Sequence, residues 1–116
     1  MELTGKAKKD FEKWYRNYIG NHKGRNLLID GTYNSFFKKL PQSMQYGIFV
    51  DFFDSVGMMI ELQVHVDPTM QGGCFKKFKA VILFKGRFVN VPNGYGKRYN
   101  ARTEAIKKAN ELYNER

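Results

Sequence analysis

The sequence predicts an α+β domain in which a three-stranded antiparallel sheet is packed by helices in the order α-α-α-β-β-β-α. Three observations carry this. From Ser43 to Val56 the polar or small positions Ser43, Gly47, Asp51, Asp54 and Ser55 recur by threes and fours, opposite Ile48, Phe49, Phe52, Phe53 and Val56, which is a helical period. At Gly57 the period changes to two, with Met58, Ile60, Leu62, Val64 and Val66 alternating with Met59, Glu61, Gln63, His65 and Asp67. Two more strand-like runs then flank Lys85-Gly86, a two-residue hairpin connection. Such a sheet can set one face on helices and leave the other wet.

The elements follow in chain order. Ala7, Phe11, Trp14, Tyr15, Tyr18 and Ile19 make the apolar stripe of a first helix, with Thr4 as its N-cap and Gly20-Asn21 as its stop. An aromatic stripe at this spacing is core rather than a binding face. Gly20 to Asp30 is a loop, and Thr32 to Leu40 a short second helix with Tyr33, Phe36, Phe37 and Leu40 on one side. Pro41 ends that helix and suits the first turn of the central one, which Gly57 closes in a left-handed conformation. The first strand ends in the turn Asp67 to Gly73. Phe75 to Phe84 is the second strand, with Phe78, Ala80, Ile82 and Phe84 on one face and Lys77, Lys79, Val81 and Leu83 on the other. Arg87 to Val91 is the third, stopped by Pro92-Asn93. The last helix runs from about Ala101 to Glu115, capped by Asn100, with Ala101, Ala105, Ile106, Ala109, Leu112 and Tyr113 as its apolar side.

The 116 residues make one domain, 1–116, large enough to hold a core without staples. Its longest apolar runs fall far short of the roughly 20 residues that cross a bilayer. The first residues lack the continuous apolar middle of a signal peptide, so a cytoplasmic location is expected. A single cysteine, Cys74, agrees with a reducing compartment. The charge is unevenly placed. Residues 1–73 carry 9 Lys/Arg against 8 Asp/Glu, whereas residues 74–108 carry 10 against 1. The net +9 is therefore concentrated in one segment, the footprint of a surface that meets a polyanion, although the same charge also serves solubility.

Candidate catalytic and metal-binding groups are sparse. Asp51 and Asp54 share the polar face of the central helix without a third ligand at readable spacing. His65, His22 and Cys74 lack metal-ligand spacing to one another, and Cys74 has no placed base. Gly94-Tyr95-Gly96-Lys97 is not a phosphate-binding P-loop pattern. The sequence therefore predicts no enzyme, no cofactor and no metal.

Two resemblances bear on function. The segments Leu3 to Trp14, Pro41 to Gly47, Asp51 to Gly57 and Ala105 to Asn114 resemble a group of small uncharacterised proteins from phages and prophages of gut bacteria. That resemblance spans nearly the whole chain and implies a mobile-element origin, with no defined activity. The order helix, three strands, helix resembles the double-stranded-RNA-binding domain, in which a Gly- and Lys-rich junction before the last helix grips phosphates. Gly94-Tyr95-Gly96-Lys97-Arg98, Arg102, Lys107 and Lys108 occupy the matching place, but the loop from Asp67 to Cys74 lacks the Gly-Pro-x-His pattern of that domain.

The function expected is nucleic-acid binding, to RNA or DNA, by Lys76, Lys77, Lys79, Lys85, Arg87, Lys97, Arg98, Arg102, Lys107 and Lys108, with Tyr95 and Tyr99 between the cations to stack on bases. The alternatives are a protein-binding accessory factor or inhibitor that occupies a host defence protein, and a homo-oligomer with its aromatic excess at a self-interface. A large exposed apolar patch favours a protein partner. A continuous basic stripe favours nucleic acid.

Overall fold

The computed structural model describes residues 1–21, 37–67, 75–91 and 96–115. Within them the α+β class and the element order hold: helix α1 (Gly5–Asn21), helix α2 (Gln42–Ser55), strands β1 (Met58–Asp67), β2 (Phe75–Phe84) and β3 (Arg87–Asn90), and helix α3 (Arg98–Asn114). The strands form one antiparallel sheet in the order β1-β2-β3. Residues 22–36, 68–74 and 92–95 lie outside the described residues, and with them His22, most of the predicted Thr32–Leu40 helix, Cys74 and Tyr95. Phe37 and Lys38 are helical, and Leu40 closes that turn with a 3.1 Å bond from its N–H to the Phe37 carbonyl.

Helix α2 begins where Pro41 fixes φ at −56°, and the Pro41 carbonyl accepts the N–H groups of Met44 and Gln45 at 3.0 Å. The Gln45 amide turns back to the carbonyls of Leu40 (2.9 Å) and Lys38 (3.3 Å), joining the helix to the turn that feeds it. Gly57, at φ +86°, reverses the chain into β1, a conformation that L side chains rarely adopt.

The register fixes which residues share a face. Met58 lies opposite Phe84, Ile60 opposite Ile82, Leu62 opposite Ala80, and Ile82 opposite Val89. Met58, Ala80 and Ile82 are buried on this face, under the helices. Above it, Phe11 is ringed by Phe49 (centroids 4.9 Å apart), Phe52 (5.3 Å), Phe37 (5.5 Å), Tyr15 (5.6 Å) and Trp14 (5.9 Å). These tilted and edge-on contacts suit the aromatic quadrupole, so Ala7, Phe11 and Tyr15 of the stripe predicted for the first helix are core with Trp14 packed against them, while the side chains of Tyr18 and Ile19 lie outside the described residues. Removing the Phe11 ring would cost about 3–5 kcal/mol of stability.

Helix α3 holds the start of α1 through two asparagines. Asn110 is buried and meets Thr4 twice: its Oδ1 accepts the Thr4 N–H (2.9 Å), and its Nδ2 donates to the Thr4 hydroxyl (3.0 Å). Asn114 Oδ1 accepts the Ala7 N–H (2.8 Å), while its Nδ2 donates to the Thr4 carbonyl (3.0 Å). A side chain from another helix thus satisfies one of the free donors at the start of α1.

The last helix starts one turn earlier than its apolar stripe predicts, at Arg98 with Lys97 as N-cap rather than at Ala101 after Asn100. Its first turn, Arg98-Tyr99-Asn100, is polar on every side and carries no period. It is fixed from outside by the Gln42 amide, which donates to the Tyr99 carbonyl (3.1 Å), and from within the helix by the Thr103 hydroxyl, which donates to the same carbonyl (3.0 Å).

Candidate nucleic-acid interface

The structure divides the basic residues of the C-terminal half into groups. Lys77 and Lys79 are exposed on β2, opposite His65 and Gln63 of β1. They alternate with Phe78 and Ala80, so they point to the outer face, away from the helices. Lys76 lies opposite Val66 in the register. Lys85 and Arg87 are exposed at the hairpin, which is the other end of the strand, about 26 Å from Lys77 at the usual strand rise. The two hairpin residues, Lys85 (φ 54°) and Gly86 (φ 75°), both take the left-handed conformation of a type I′ turn, and the Lys85 ammonium lies 5.2 Å from the Phe84 ring centroid.

The start of α3 brings a second group to the Lys77 end of the sheet. Arg98 is exposed, with its guanidinium 5.2 Å from the centroid of the Phe78 ring, on the strand that carries Lys77 and Lys79. Lys97 is exposed beside it, and Tyr99 is 58% exposed. The earlier helix start places Arg98 and Tyr99 in the first turn of a 17-residue helix rather than in a loop. The free N–H groups and dipole of that turn add positive potential where the cations already are.

Arg102 is placed differently from its neighbours. It is half-buried, its Nη1 donates to Gln42 Oε1 at 3.2 Å, and its guanidinium lies 5.6 Å from the centroid of Tyr46. Its Nε is buried with no hydrogen-bond partner among the described residues. Burial pushes the Tyr46 hydroxyl up to about 12, against the smaller lowering effect of the Arg102 charge. Arg102 therefore joins α3 to α2 from the edge of the basic region. Further along α3, Lys107 is exposed and Lys108 pairs with Glu111 at 3.8 Å.

The outer face of the second strand reads in the sequence as basic at one end and apolar at the other, but the sequence reading gives the apolar end no role. In the register Met59 lies opposite Leu83, and Leu83 opposite Phe88, so these three form a row across the outer face. Phe88 is 73% exposed and Met59 56%. The signal was available, because a two-residue hairpin at Lys85-Gly86 fixes Leu83 opposite Phe88.

Asp51 and Asp54 are both exposed on α2, and among the described residues no group of three or more His, Cys, Asp or Glu is placed to hold a metal. Among them, too, no helix is long and apolar enough to cross a membrane. Comparison with known protein families, with curated proteins and with solved structures finds no match for this chain.

Proposed function

We propose that this chain is a nucleic-acid-binding protein rather than an enzyme, and that its contact surface is the first turn of α3 together with the adjoining end of β2. The observation that carries this reading is the exposure of Tyr99 directly after the exposed Lys97 and Arg98. Cations neutralise phosphates without regard to sequence, and an exposed ring beside them can stack on a base. Lys77 and Lys79 extend the positive surface around the end of the sheet. The place of action in this reading is the cytoplasm, that of the host for a phage or prophage product.

Equilibrium binding of labelled single-stranded RNA, duplex RNA and duplex DNA across a salt series tests it. The wild type should bind with an affinity that falls steeply with salt. Lys97→Ala with Arg98→Ala should weaken binding to all three and lower the salt slope by about one unit per lost phosphate contact. Wild-type affinity and slope in that double variant would overturn the proposed surface.

A protein partner is the second reading, and the exposed Met59 and Phe88, joined across the face by half-buried Leu83, favour it. Salt-insensitive capture of a host protein, lost in Phe88→Ala, would support this alternative.

A further inference from the structure

Which occupant the Met59, Leu83 and Phe88 row takes can be argued from what shares its face. Moving along β2 from Leu83, the outward positions are Val81, then Lys79, then Lys77, with Asn90 beside Val81 on β3. The row is therefore the apolar end of a face whose other end is cationic. Leu83 to Lys79 spans about 13 Å, and Leu83 to Lys77 about 20 Å. Lys77 and Lys79 lie toward the end of the sheet where Arg98 covers Phe78. A path thus runs from the exposed Phe88 ring along the outer face of β2 to Lys79 and Lys77, at the end of the sheet where Arg98 covers Phe78 from the opposite, helix-facing side.

The occupant must offer apolar or π surface at one end and negative charge at the other. A second copy of this chain fits less well, because each carries a net +9 and offers no excess of negative charge to Lys77 and Lys79. A nucleic-acid duplex meets only the charge, since its base faces are stacked inside and leave Phe88 unused. A single strand offers both, with splayed bases for the ring and phosphates for the lysines. Resting on the nucleic-acid reading above, we infer that the outer face of the sheet is the track of a single strand, with Phe88 as its stacking platform and Lys79 and Lys77 as the contacts to its backbone phosphates. Glu61, exposed on the same face in the row of Val81 and Asn90, is the repulsive group on this track.

The test uses fluorescein-labelled oligouridine of roughly 12 nucleotides, within the usual range for one single-strand-binding domain, and an RNA duplex of the same length. The inference predicts preference for the single strand. Phe88→Ala should lower single-strand affinity about tenfold or more, and leave duplex binding unchanged. Phe88→Leu, which keeps apolar bulk without a π face, should lose affinity as Phe88→Ala does, whereas Phe88→Tyr should retain it. Glu61→Gln should tighten single-strand binding. Phe88 is exposed, so thermal melts of its variants should match the wild type, and a gain of affinity in Glu61→Gln cannot come from misfolding. Salt-sensitive nucleic-acid binding that is equal in wild type and Phe88→Ala would overturn this inference and leave the broader reading standing. The row would then belong to a protein partner, or to a second copy if sedimentation shows a dimer that Phe88→Ala dissociates. Failure to bind either nucleic acid at low salt would overturn both.

Discussion

Arg102 separates a residue that contributes charge to a surface from one that holds the surface in place. Its Nη1 bond to Gln42 has a charged donor and contributes about 1.5–3 kcal/mol. Its guanidinium against Tyr46 adds about 0.5–2 kcal/mol. The buried Nε without a partner offsets about 1–3 kcal/mol of this. The balance is about 1–2 kcal/mol of stability, so Arg102→Ala should lower the melting temperature by about 3–6 °C for a domain of this size. Arg102→Lys should recover little, because an ammonium cannot reproduce the planar fork lying over a ring. Gln42→Ala should couple to Arg102→Ala by about 0.5–1.5 kcal/mol in a double-mutant cycle of urea denaturation, since each variant removes the same hydrogen bond. In the binding assay Arg102→Ala should leave the salt slope at its wild-type value, unlike Lys97→Ala with Arg98→Ala. The reasoning fails if Arg102→Ala melts with the wild type and lowers the salt slope by about one unit, because Arg102 would then be a phosphate ligand.

Two further outcomes follow from the packing of the helices. Gly5 is at φ +60°, and a Cβ there would lie 3.2 Å from Asn114 Nδ2; Gly5→Ala should cost about 2–3 kcal/mol in denaturant unfolding, but only about 1–2 kcal/mol in an Asn114→Ala background, where the hydrogen bonds to Ala7 and Thr4 are already gone. The Tyr46 hydroxyl, raised to about 12 by burial, binds its proton more tightly in the folded chain, so its contribution to stability is complete below pH 10 and is lost as pH rises toward 12; stability measured over that window should fall more steeply for the wild type than for Tyr46→Phe.

The fold was legible where a local period decides the structure. The switch at Gly57 from a period near 3.6 to a period of two predicted α2 and β1, and both stand in the structure. The alternation of Lys77 and Lys79 with Phe78 and Ala80 predicted the two faces of β2, and the register keeps them. What was illegible is held by partners far away in sequence. Asn110 breaks the apolar side of α3 yet is buried, because Thr4, 106 positions earlier, satisfies its amide. The first turn of α3 has no period, and Gln42, 57 positions before Tyr99, fixes it.

The same distinction divides the candidate site. Charge density along the chain located the basic half, since 10 cations against one acid is a property of composition. It could not separate Arg102, which is tied to Gln42 and Tyr46, from Arg98, which stays exposed four residues earlier. Nor could it place Lys85 and Arg87 at the far end of the sheet from Lys77, because distance along a strand follows from pairing rather than from composition. That separation makes Phe88 informative. If the cations had converged on one spot, a duplex phosphate ridge would satisfy them without a stacking ring. Lys77 and Lys79, spaced along the face that also exposes Phe88, instead suit an extended ligand with its bases turned toward the sheet, and so single-strand preference is the property on which the proposal stands or falls.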